Sequence, residues 1–458
     1  MSPLTGVLQR ARVSRRPSLP LALDWAFASA RRTWWSVFLL VGLMYLLTAH
    51  WTSGQVNDTV AAIWPAWNVV HHGSFFLDGV HVPDIVWFRE VHGHLVSNRM
   101  MGVVVSGVPV SAGLSWTPLT PAQLNALNGA LLTAVAVACL ALVFRRLAAP
   151  RLAAAATVVV AFGTPLWTTA AAETWTHSVN ALFLALALLM VSRDRFWLTG
   201  LALAPALMTR PHLALVAFVL GVGLGLHRRS MRPAVAIGVP ATAAVGVLVL
   251  WNRWMFGAAT IGGAYAGKLE TATRVPSGGS EISAYVRNAL AAAFTPDLGL
   301  FVFTPVALLA LVWISRYWRR VPDWARLALL GGVLYQLMQL RLNGYSGGGQ
   351  FYGNRLVVEL VVLAAPAALA AYRPWSAGHV WRRFTGSVLA GIGVATFAVG
   401  AFLADYLVGT GTRSDWTVYY PATVVHAAGM TGSLAAGVIA SCLLMFAFVQ
   451  YRQARSAR

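Results

Sequence analysis

The sequence contains little charge. Charged residues make up 10% of its 458 residues, whereas hydrophobic residues make up 58%. A soluble protein of this size needs far more charge to cover its surface, so the composition excludes an ordinary soluble fold and predicts that a lipid bilayer is the solvent for most of the chain. Only two cysteines are present, Cys139 and Cys442, and both lie in apolar runs. A secreted disulfide-rich scaffold is therefore also excluded.

About twelve apolar segments are long enough, or nearly long enough, to span a bilayer. They lie near 33–50, 121–143, 152–170, 178–192, 196–209, 211–226, 233–251, 299–315, 324–340, 355–372, 385–407 and 427–449. The adjacent pair 196–209 and 211–226 could form separate spans, one hairpin or a re-entrant element. The predicted fold class is all-α, a polytopic integral membrane protein with about 12 transmembrane helices.

Basic residues are unevenly distributed along the chain. The formal net charge is +20, and 24 of the 34 lysines and arginines fall on one side of the predicted topology. By the positive-inside rule that side is cytoplasmic, and both termini lie on it. The excess charge therefore indicates membrane orientation and attraction to anionic lipid headgroups, not a surface that binds nucleic acid.

This pattern divides the chain into a basic cytoplasmic segment (1–32), a transmembrane core (33–372), C-terminal transmembrane helices (373–449) and a basic cytoplasmic tail (450–458). Two extracytoplasmic loops, about 51–120 and 252–298, are long enough to be functional. Apolar residues at helical spacing within 59–72 predict an interfacial amphipathic helix, kinked at Pro65.

Several short motifs follow one another along the core. They are Gly54-Gln55-Val56-Asn57-Asp58-Thr59, His72-Gly73-Ser74-Phe75-Phe76-Leu77-Asp78, Gly93-His94-Leu95-Val96-Ser97-Asn98-Arg99, Glu173-Thr174-Trp175-Thr176-His177, Thr209-Arg210-Pro211 and Gly347-Gly348-Gly349-Gln350-Phe351-Tyr352-Gly353-Asn354-Arg355. In this order they resemble the GT-C superfamily of multispanning glycosyltransferases, which use polyprenyl-phosphate sugars. The resemblance covers residues 33–372 and identifies them as a GT-C-like catalytic core.

The resemblance implies an extracytoplasmic active site under a membrane-embedded groove, with Asp58 as the catalytic base. The chemistry agrees, because transfer of a sugar to a hydroxyl needs a carboxylate to accept the proton and cationic groups to hold the phosphate leaving group. The sequence departs from the family pattern at Asn57, where a second acid is common. It also has Asn98-Arg99-Met100 in place of a basic-aromatic-proline step.

Each candidate residue also has a purely structural interpretation. Asp58 could cap a helix that begins at Thr59. Glu173 and His177 are four residues apart and would share one face of a helix, either as a hydrogen-bonded pair or as a wall of the site.

Two arginines are candidates for holding the phosphate. Arg210 lies between two apolar runs, where a charge is costly and usually functional, although its side chain could snorkel to the headgroups. Arg355 follows a glycine-rich loop that would let the backbone approach a ligand. It also stands four residues before Glu359, so the two side chains could simply neutralise each other.

The first outer loop also contains histidines and further acids. His92 and His94 lack the i, i+4 spacing of a helical metal site, and a hairpin turn explains them equally well. Asp78 and Asp84 adjoin glycine or proline and are interpreted as turn residues. No metal site is predicted.

The predicted activity is transfer of a sugar from a polyprenyl-phosphate donor to an extracytoplasmic glycan, lipid or protein acceptor. Asp58 is the predicted base, and the predicted substrate-binding residues are Arg99, Glu173, His177, Arg210 and Arg355. No resident cofactor is expected, although dependence on a divalent metal stays open, and the partners are lipids and the two substrates, not nucleic acid. The expected location is the plasma membrane. The alternatives are a transporter, a flippase for lipid-linked glycans, a polysaccharide polymerase or ligase, and a non-catalytic assembly subunit.

Overall fold

The computed structural model describes residues 24–51, 55–265, 281–295, 298–343 and 352–402. Within these ranges nearly all regular structure is α-helical, and the strands form one two-stranded antiparallel hairpin. The all-α prediction is confirmed. The predicted span 427–449, the tail 450–458, most of the segment 1–32 and the glycines 347–349 lie outside the described residues.

The helices of the first half are α1 (Ala30–Leu47), α2 (Asn57–His72), α3 (Met101–Ser106), α4 (Val108–Gly113), α5 (Pro121–Leu147), α6 (Pro150–Phe162), α7 (Thr176–Val191), α8 (Phe196–Thr209) and α9 (Ala214–Arg228). The second half contains α10 (Arg232–Phe256), α11 (Glu281–Phe294), α12 (Leu300–Phe303), α13 (Pro305–Arg316), α14 (Asp323–Asn343), α15 (Val358–Ser376) and α16 (Val380–Phe402). The strands β1 (Phe88–Val91) and β2 (His94–Ser97) lie between α2 and α3.

Five helical segments are long and apolar enough to cross a membrane: Pro121–Leu147, Pro211–Arg228, Arg232–Phe256, Arg355–Ser376 and Val380–Phe402. Shorter apolar helices of 10–17 residues accompany them, among them α6, α7, α8 and α13. The protein is therefore embedded in a membrane. Most predicted apolar segments coincide with helices where the structure describes them, but 152–170 is interrupted after Phe162 and 299–315 is interrupted at Thr304. A total of about twelve spans stays a prediction.

Helix α5 shows how the local sequence defines an element. The Thr120 hydroxyl accepts from the Gln123 amide, the Gln123 side chain accepts from the Thr120 amide, and Pro121 occupies the first turn. This reciprocal cap satisfies backbone donors that no helical carbonyl can reach. Farther along α5, Gly129 lies directly against the backbone of Glu173, where a Cβ would overlap the carbonyl. Small residues let membrane helices and loops approach this closely.

The junction between α8 and α9 is set by a proline. Pro211 disfavours helical backbone at the preceding residue, and Arg210 accordingly has φ −142° and ψ 96°. The chain then re-enters helix through the 3₁₀ turn Pro211–Leu213. The two predicted runs are thus separate helices, and the extended residue between them is the arginine.

The predicted helix in the first loop is present as α2, which runs without interruption through Pro65. Its buried face packs on the start of α5, where Ile63 and Ala66 contact Leu124. The β1–β2 hairpin follows, with His92 and Gly93 as its two turn residues at φ 51° and 81°. Positive φ at both positions fits the primed two-residue turns of hairpins, so the hairpin interpretation of these residues is confirmed. Whether α2 lies at the membrane interface stays a prediction.

Candidate functional site

A cavity of about 610 Å³ lies where the start of α2, the residues on either side of the β1–β2 hairpin, the start of α7, the α8–α9 junction, the end of α14 and the turn before α15 meet. Four charged side chains line it, although they come from distant parts of the sequence: Asp58, Arg99, Arg210 and Arg355. The apolar part of its wall includes Leu215, Met338 and Leu342. The structure thus brings together the predicted base and three of the five predicted substrate-binding residues.

Asp58 is held between two arginines. Its Oδ1 lies 2.6 Å from Arg99 Nη2, and its Oδ2 accepts from Arg355 Nη1 over 3.2 Å. Burial raises the pKa of Asp58, but the two guanidiniums outweigh that effect and hold the pKa below its ordinary value of 3.8. The carboxylate is therefore ionised at neutral pH.

The interpretation of Asp58 as a helix cap is wrong. Helix α2 begins at Asn57, its N-cap residue is Val56, and no side-chain oxygen caps it. Asp58 instead lies in the first turn, where an anion also interacts favourably with the helix dipole. The backbone there is fixed from outside the helix, by Glu173.

Glu173 lies outside the cavity and anchors the start of α2. Its Oε2 accepts from the Val56 amide over 2.9 Å and from the Thr59 hydroxyl, and its Oε1 lies 2.8 Å from His50 Nδ1. The residue is 1% exposed and does not line the cavity. Its contacts support a role in positioning Asp58. Since α7 begins only at Thr176, the predicted helical pairing of Glu173 with His177 is wrong.

Both arginines that contact Asp58 lie over tryptophan rings. The Arg99 guanidinium carbon is 3.9 Å from the ring centroid of Trp87, and that of Arg355 is 4.5 Å from the ring centroid of Trp175. Such contacts hold a guanidinium plane while leaving its edge free to donate. Asn98, next to Arg99, donates its backbone N–H to the Trp87 carbonyl over 2.8 Å, which fixes the arginine beside its ring.

Arg210 enters the cavity from the α8–α9 junction. Its Nη2 donates to the Thr176 hydroxyl over 3.0 Å and lies 3.1 Å from His177 Nε2. Its Nη1 donates to the Tyr335 hydroxyl over 3.5 Å, and its Nε lies 3.8 Å from Glu359 Oε1. A charge at this position faces protein and cavity, so the snorkelling interpretation is wrong.

His177 and Glu359 form a buried layer behind Arg210. His177 Nδ1 lies 3.0 Å from both carboxylate oxygens of Glu359, and Asn180 Nδ2 donates to Glu359 Oε1 over 2.8 Å. Neither His177 nor Glu359 is exposed, and neither lines the cavity. The predicted neutralisation of Arg355 by Glu359 is wrong, because the 3₁₀ turn at Arg355 turns that arginine to Asp58 while Glu359 faces α7.

Sequence reasoning missed several residues of the site. Trp87 and Tyr335 belong to no motif, although a tryptophan shortly before a loop arginine is a usable signal for stacking. His212 stacks on the Tyr335 ring at 4.8 Å between centroids and 8° between planes. Its Nε2 lies 2.6 Å from Gln339 Oε1. These partners come from α14, which no local pattern links to the α8–α9 junction.

Asp78, a further acid of the first loop, behaves as a structural residue. Asp78 accepts from the Leu95 amide over 2.7 Å and lies 2.6 Å from His94 Nδ1, contacts that lower the pKa of Asp78. Asp78 thereby ties the chain after α2 to the hairpin. Within the part of the chain that the structure describes, no three His, Cys, Asp or Glu side chains are grouped to hold a metal ion.

No protein-family model and no curated protein matches the sequence. In three dimensions the chain is similar to the Archaeoglobus fulgidus oligosaccharyltransferase in complex with Zn and sulfate, at 15% identity and a TM-score of 0.47, over 81% of this chain and 53% of that one. It is also similar to AglB of the same organism in complex with an inhibitory peptide and a dolichol-phosphate, at 11% identity and 0.44, over 89% and 59%. A third similar structure is ArnT from Cupriavidus metallidurans in the apo state, at 15% and 0.43, over 92% and 77%.

These similar structures are membrane glycosyltransferases of the GT-C superfamily, the group that the sequence motifs resemble. The similarity concerns the fold alone. The chain spans little more than half the length of the oligosaccharyltransferase chains.

Proposed function

We propose that this protein is a membrane glycosyltransferase that uses a polyprenyl-phosphate sugar as its donor. The observation that carries the proposal is the convergence of one carboxylate and three guanidiniums on a single cavity, with 152 residues between Asp58 and Arg210 and 145 between Arg210 and Arg355. A carboxylate that accepts the acceptor proton and cations that hold the phosphate are the two kinds of group that sugar transfer from a phosphate requires.

The proposed reaction proceeds as follows. The bond between the anomeric carbon and the donor phosphate oxygen breaks, and its electron pair leaves with the phosphate. The acceptor hydroxyl oxygen forms the new glycosidic bond to that carbon, and its proton passes to the Asp58 carboxylate. Arg99, Arg210 and Arg355 stabilise the charge that develops on the leaving polyprenyl phosphate.

The lipid nature of the donor is supported by where the cavity lies. Helices α9 and α14 supply its apolar wall through Leu215, Met338 and Leu342, and the segment Pro211–Arg228 that contains α9 is long and apolar enough to span the membrane. A phosphate held by the arginines would therefore have its isoprenoid chain beside apolar side chains and lipid. We propose residues 33–372 as the catalytic core, as their motifs imply.

The helix directions support an extracytoplasmic position for the cavity. Helix α7 begins beside the cavity and ends before Arg193 and Arg195, while α9 begins beside the cavity and ends at Arg228 and Arg229. The cavity therefore lies at the helix ends opposite these arginine-rich loops. The positive-inside rule then favours a cytoplasmic location for the loops and both termini and an extracytoplasmic active site in the plasma membrane.

The test is transfer activity of the purified full chain in proteoliposomes. Polyprenyl-phosphate mannose and polyprenyl-phosphate arabinose, each labelled in the sugar, are offered with a panel of glycan, lipid and peptide acceptors, with and without a metal chelator. We expect labelled product from one donor and a loss of about 10²–10⁴-fold in Asp58→Asn. Asp84→Asn is the matched control, because it removes an exposed carboxylate of the same loop that lies outside the cavity.

Other outcomes would favour other functions. Equal activity in Asp58→Asn and in the wild type would remove Asp58 as the base. Movement of a labelled lipid-linked glycan across the vesicle membrane without transfer would indicate a flippase, and uptake of a solute would indicate a transporter. A chain that binds the donor and does neither would be an assembly subunit.

A further inference from the structure

Two of the three arginines proposed to bind the donor phosphate, Arg99 and Arg355, already contact Asp58. One carboxylate oxygen lies 2.6 Å from Arg99 and the other accepts from Arg355 over 3.2 Å. A carboxylate bound by two guanidiniums is a weak base, since both contacts favour its ionised form. The arrangement is thus unfavourable for a residue that has to accept a proton.

The third arginine is turned to different partners. Arg210 contacts Thr176, His177, Tyr335 and Glu359, which are different partners from the Asp58 carboxylate. A phosphate that enters the cavity therefore meets Asp58 as a rival anion at Arg99 and Arg355, but not at Arg210. Three guanidiniums face two carboxylates, Asp58 and Glu359, which leaves one positive charge for a monoanionic phosphodiester.

The arginines and the carboxylate are each held by contacts other than the ones between them. Trp87 and Trp175 lie under the guanidiniums of Arg99 and Arg355. The backbone beside Asp58 is held by Glu173 through the Val56 amide and the Thr59 hydroxyl. The arginines can exchange one anion for another without leaving their rings, and the start of α2 stays in place when they do.

We propose that the donor phosphate competes with Asp58 for Arg99 and Arg355, so that donor binding releases the carboxylate to act as the base. This inference rests on the proposed function. It gives the reaction an order: the carboxylate becomes a stronger base only after the leaving group is held by the arginines. An acceptor that enters first meets an Asp58 that is still paired and little able to remove its proton.

The test measures the affinity of the detergent-purified full chain for undecaprenyl phosphate by isothermal titration calorimetry. If the anions compete, Asp58→Asn removes the rival and tightens binding at least about fivefold, where tenfold corresponds to 1.4 kcal/mol. Asp84→Asn, at an exposed position of the same loop outside the cavity, leaves the affinity unchanged, which controls for loss of one negative charge elsewhere. Asp58→Ser serves as a second variant if the amide variant does not elute as a folded monodisperse protein.

A double-mutant cycle separates competition for contacts from a general effect of charge. If Asp58 and the phosphate share the same donors, Asp58→Asn gives a smaller gain in affinity in an Arg355→Gln background. Only the competition at Arg99 is then left to remove. A gain of the same size in both backgrounds would mean that Asp58 acts only through its field, and this would overturn the proposal. So would an unchanged or weaker affinity in Asp58→Asn.

The same measurements distinguish failure of this inference from failure of the proposed function. Weakened binding in Arg210→Gln and Arg355→Gln, together with no gain in Asp58→Asn, would leave the lipid-phosphate site standing and overturn only the competition. Absence of measurable binding by the wild type would overturn both.

Discussion

Arg355 Nη1 donates to Asp58 Oδ2, although the two residues are 297 positions apart in the sequence. The contact joins the start of the first-loop helix α2 to the turn that precedes α15, and it closes one side of the cavity. Glu359 is four residues farther along and faces α7. Arg355 therefore belongs to the cavity, whereas Glu359 belongs to the buried layer behind Arg210. The cavity and the buried layer behind Arg210 can be tested separately.

The acid limb of the activity reports the pairing of Asp58. Its pKa is lowered from 3.8, so the ionised carboxylate, the proposed base, is present above that pKa and is lost as the pH falls through it. Arg99→Gln removes one guanidinium while burial remains, so the pKa rises and the acid limb of kcat/KM moves to higher pH. The pH profile of transfer measures this shift. Arg253→Gln, at an exposed position on α10, should leave the limb in place.

The contribution of Asp58 to stability changes with pH in the same direction. Folding lowers the pKa of Asp58. Its contribution to the free energy of unfolding is therefore fully present above the pKa of the unfolded state and is lost as the pH falls through the pKa of the folded state. For the activity, an acid limb of kcat/KM that moved to lower pH in Arg99→Gln would contradict the pairing seen in the structure.

The buried layer behind Arg210 is tested at Glu359. We expect Glu359→Ala to lower the free energy of unfolding by about 3–5 kcal/mol, because it breaks a buried charged network around His177. Glu359→Gln should cost less, since its carbonyl can still accept from Asn180. Denaturation in mixed micelles measures both. Glu90→Gln, on the exposed side of β1, is the control, and an equal effect of all three variants would remove the special role of Glu359.

Gly129 tests the close approach of α5 to the segment that contains Glu173. A Cβ there would overlap the carbonyl of Glu173, so Gly129→Ala should displace the carboxylate that anchors α2. We expect a lower thermal midpoint in detergent and reduced activity. Gly246→Ala, on α10, has open space around its Cβ and should be neutral or stabilising by up to about 1 kcal/mol. Equal midpoints for the two variants would show that this approach is not tight.

The orientation is tested with single cysteines in a background that lacks Cys139 and Cys442. Ser115 is exposed in the segment after α4, and Ser230 is exposed in the arginine-rich loop between α9 and α10. An impermeant thiol reagent should label Ser115→Cys in intact cells and Ser230→Cys only after permeabilisation. The reverse pattern would place the cavity on the cytoplasmic side.

Much of the fold could be predicted from local patterns. The apolar run 196–209 coincides with α8, and the run 121–143 lies inside α5, because a helix in lipid must be both apolar and long. The break at Arg210 follows from Pro211, and the hairpin turn at His92-Gly93 from the need for positive φ. Arg355 and Glu359 are four residues apart, so the local pattern indicated that they could neutralise each other. That interpretation was wrong, because Arg355 contacts Asp58 instead.

The sequence by itself determined the solvent, the helices and the residue types available for chemistry, because hydropathy, capping and proline constraints act over a few residues. Only the tertiary structure decided which charges meet. It placed Arg99 and Arg355 on Asp58, put Glu173 and His177 behind the cavity, and recruited Trp87 and Tyr335 from segments with no recognisable motif. The physical reason is that each pairing depends on packing between helices far apart in the chain, where close contacts such as that of Gly129 fix distances that no local pattern encodes.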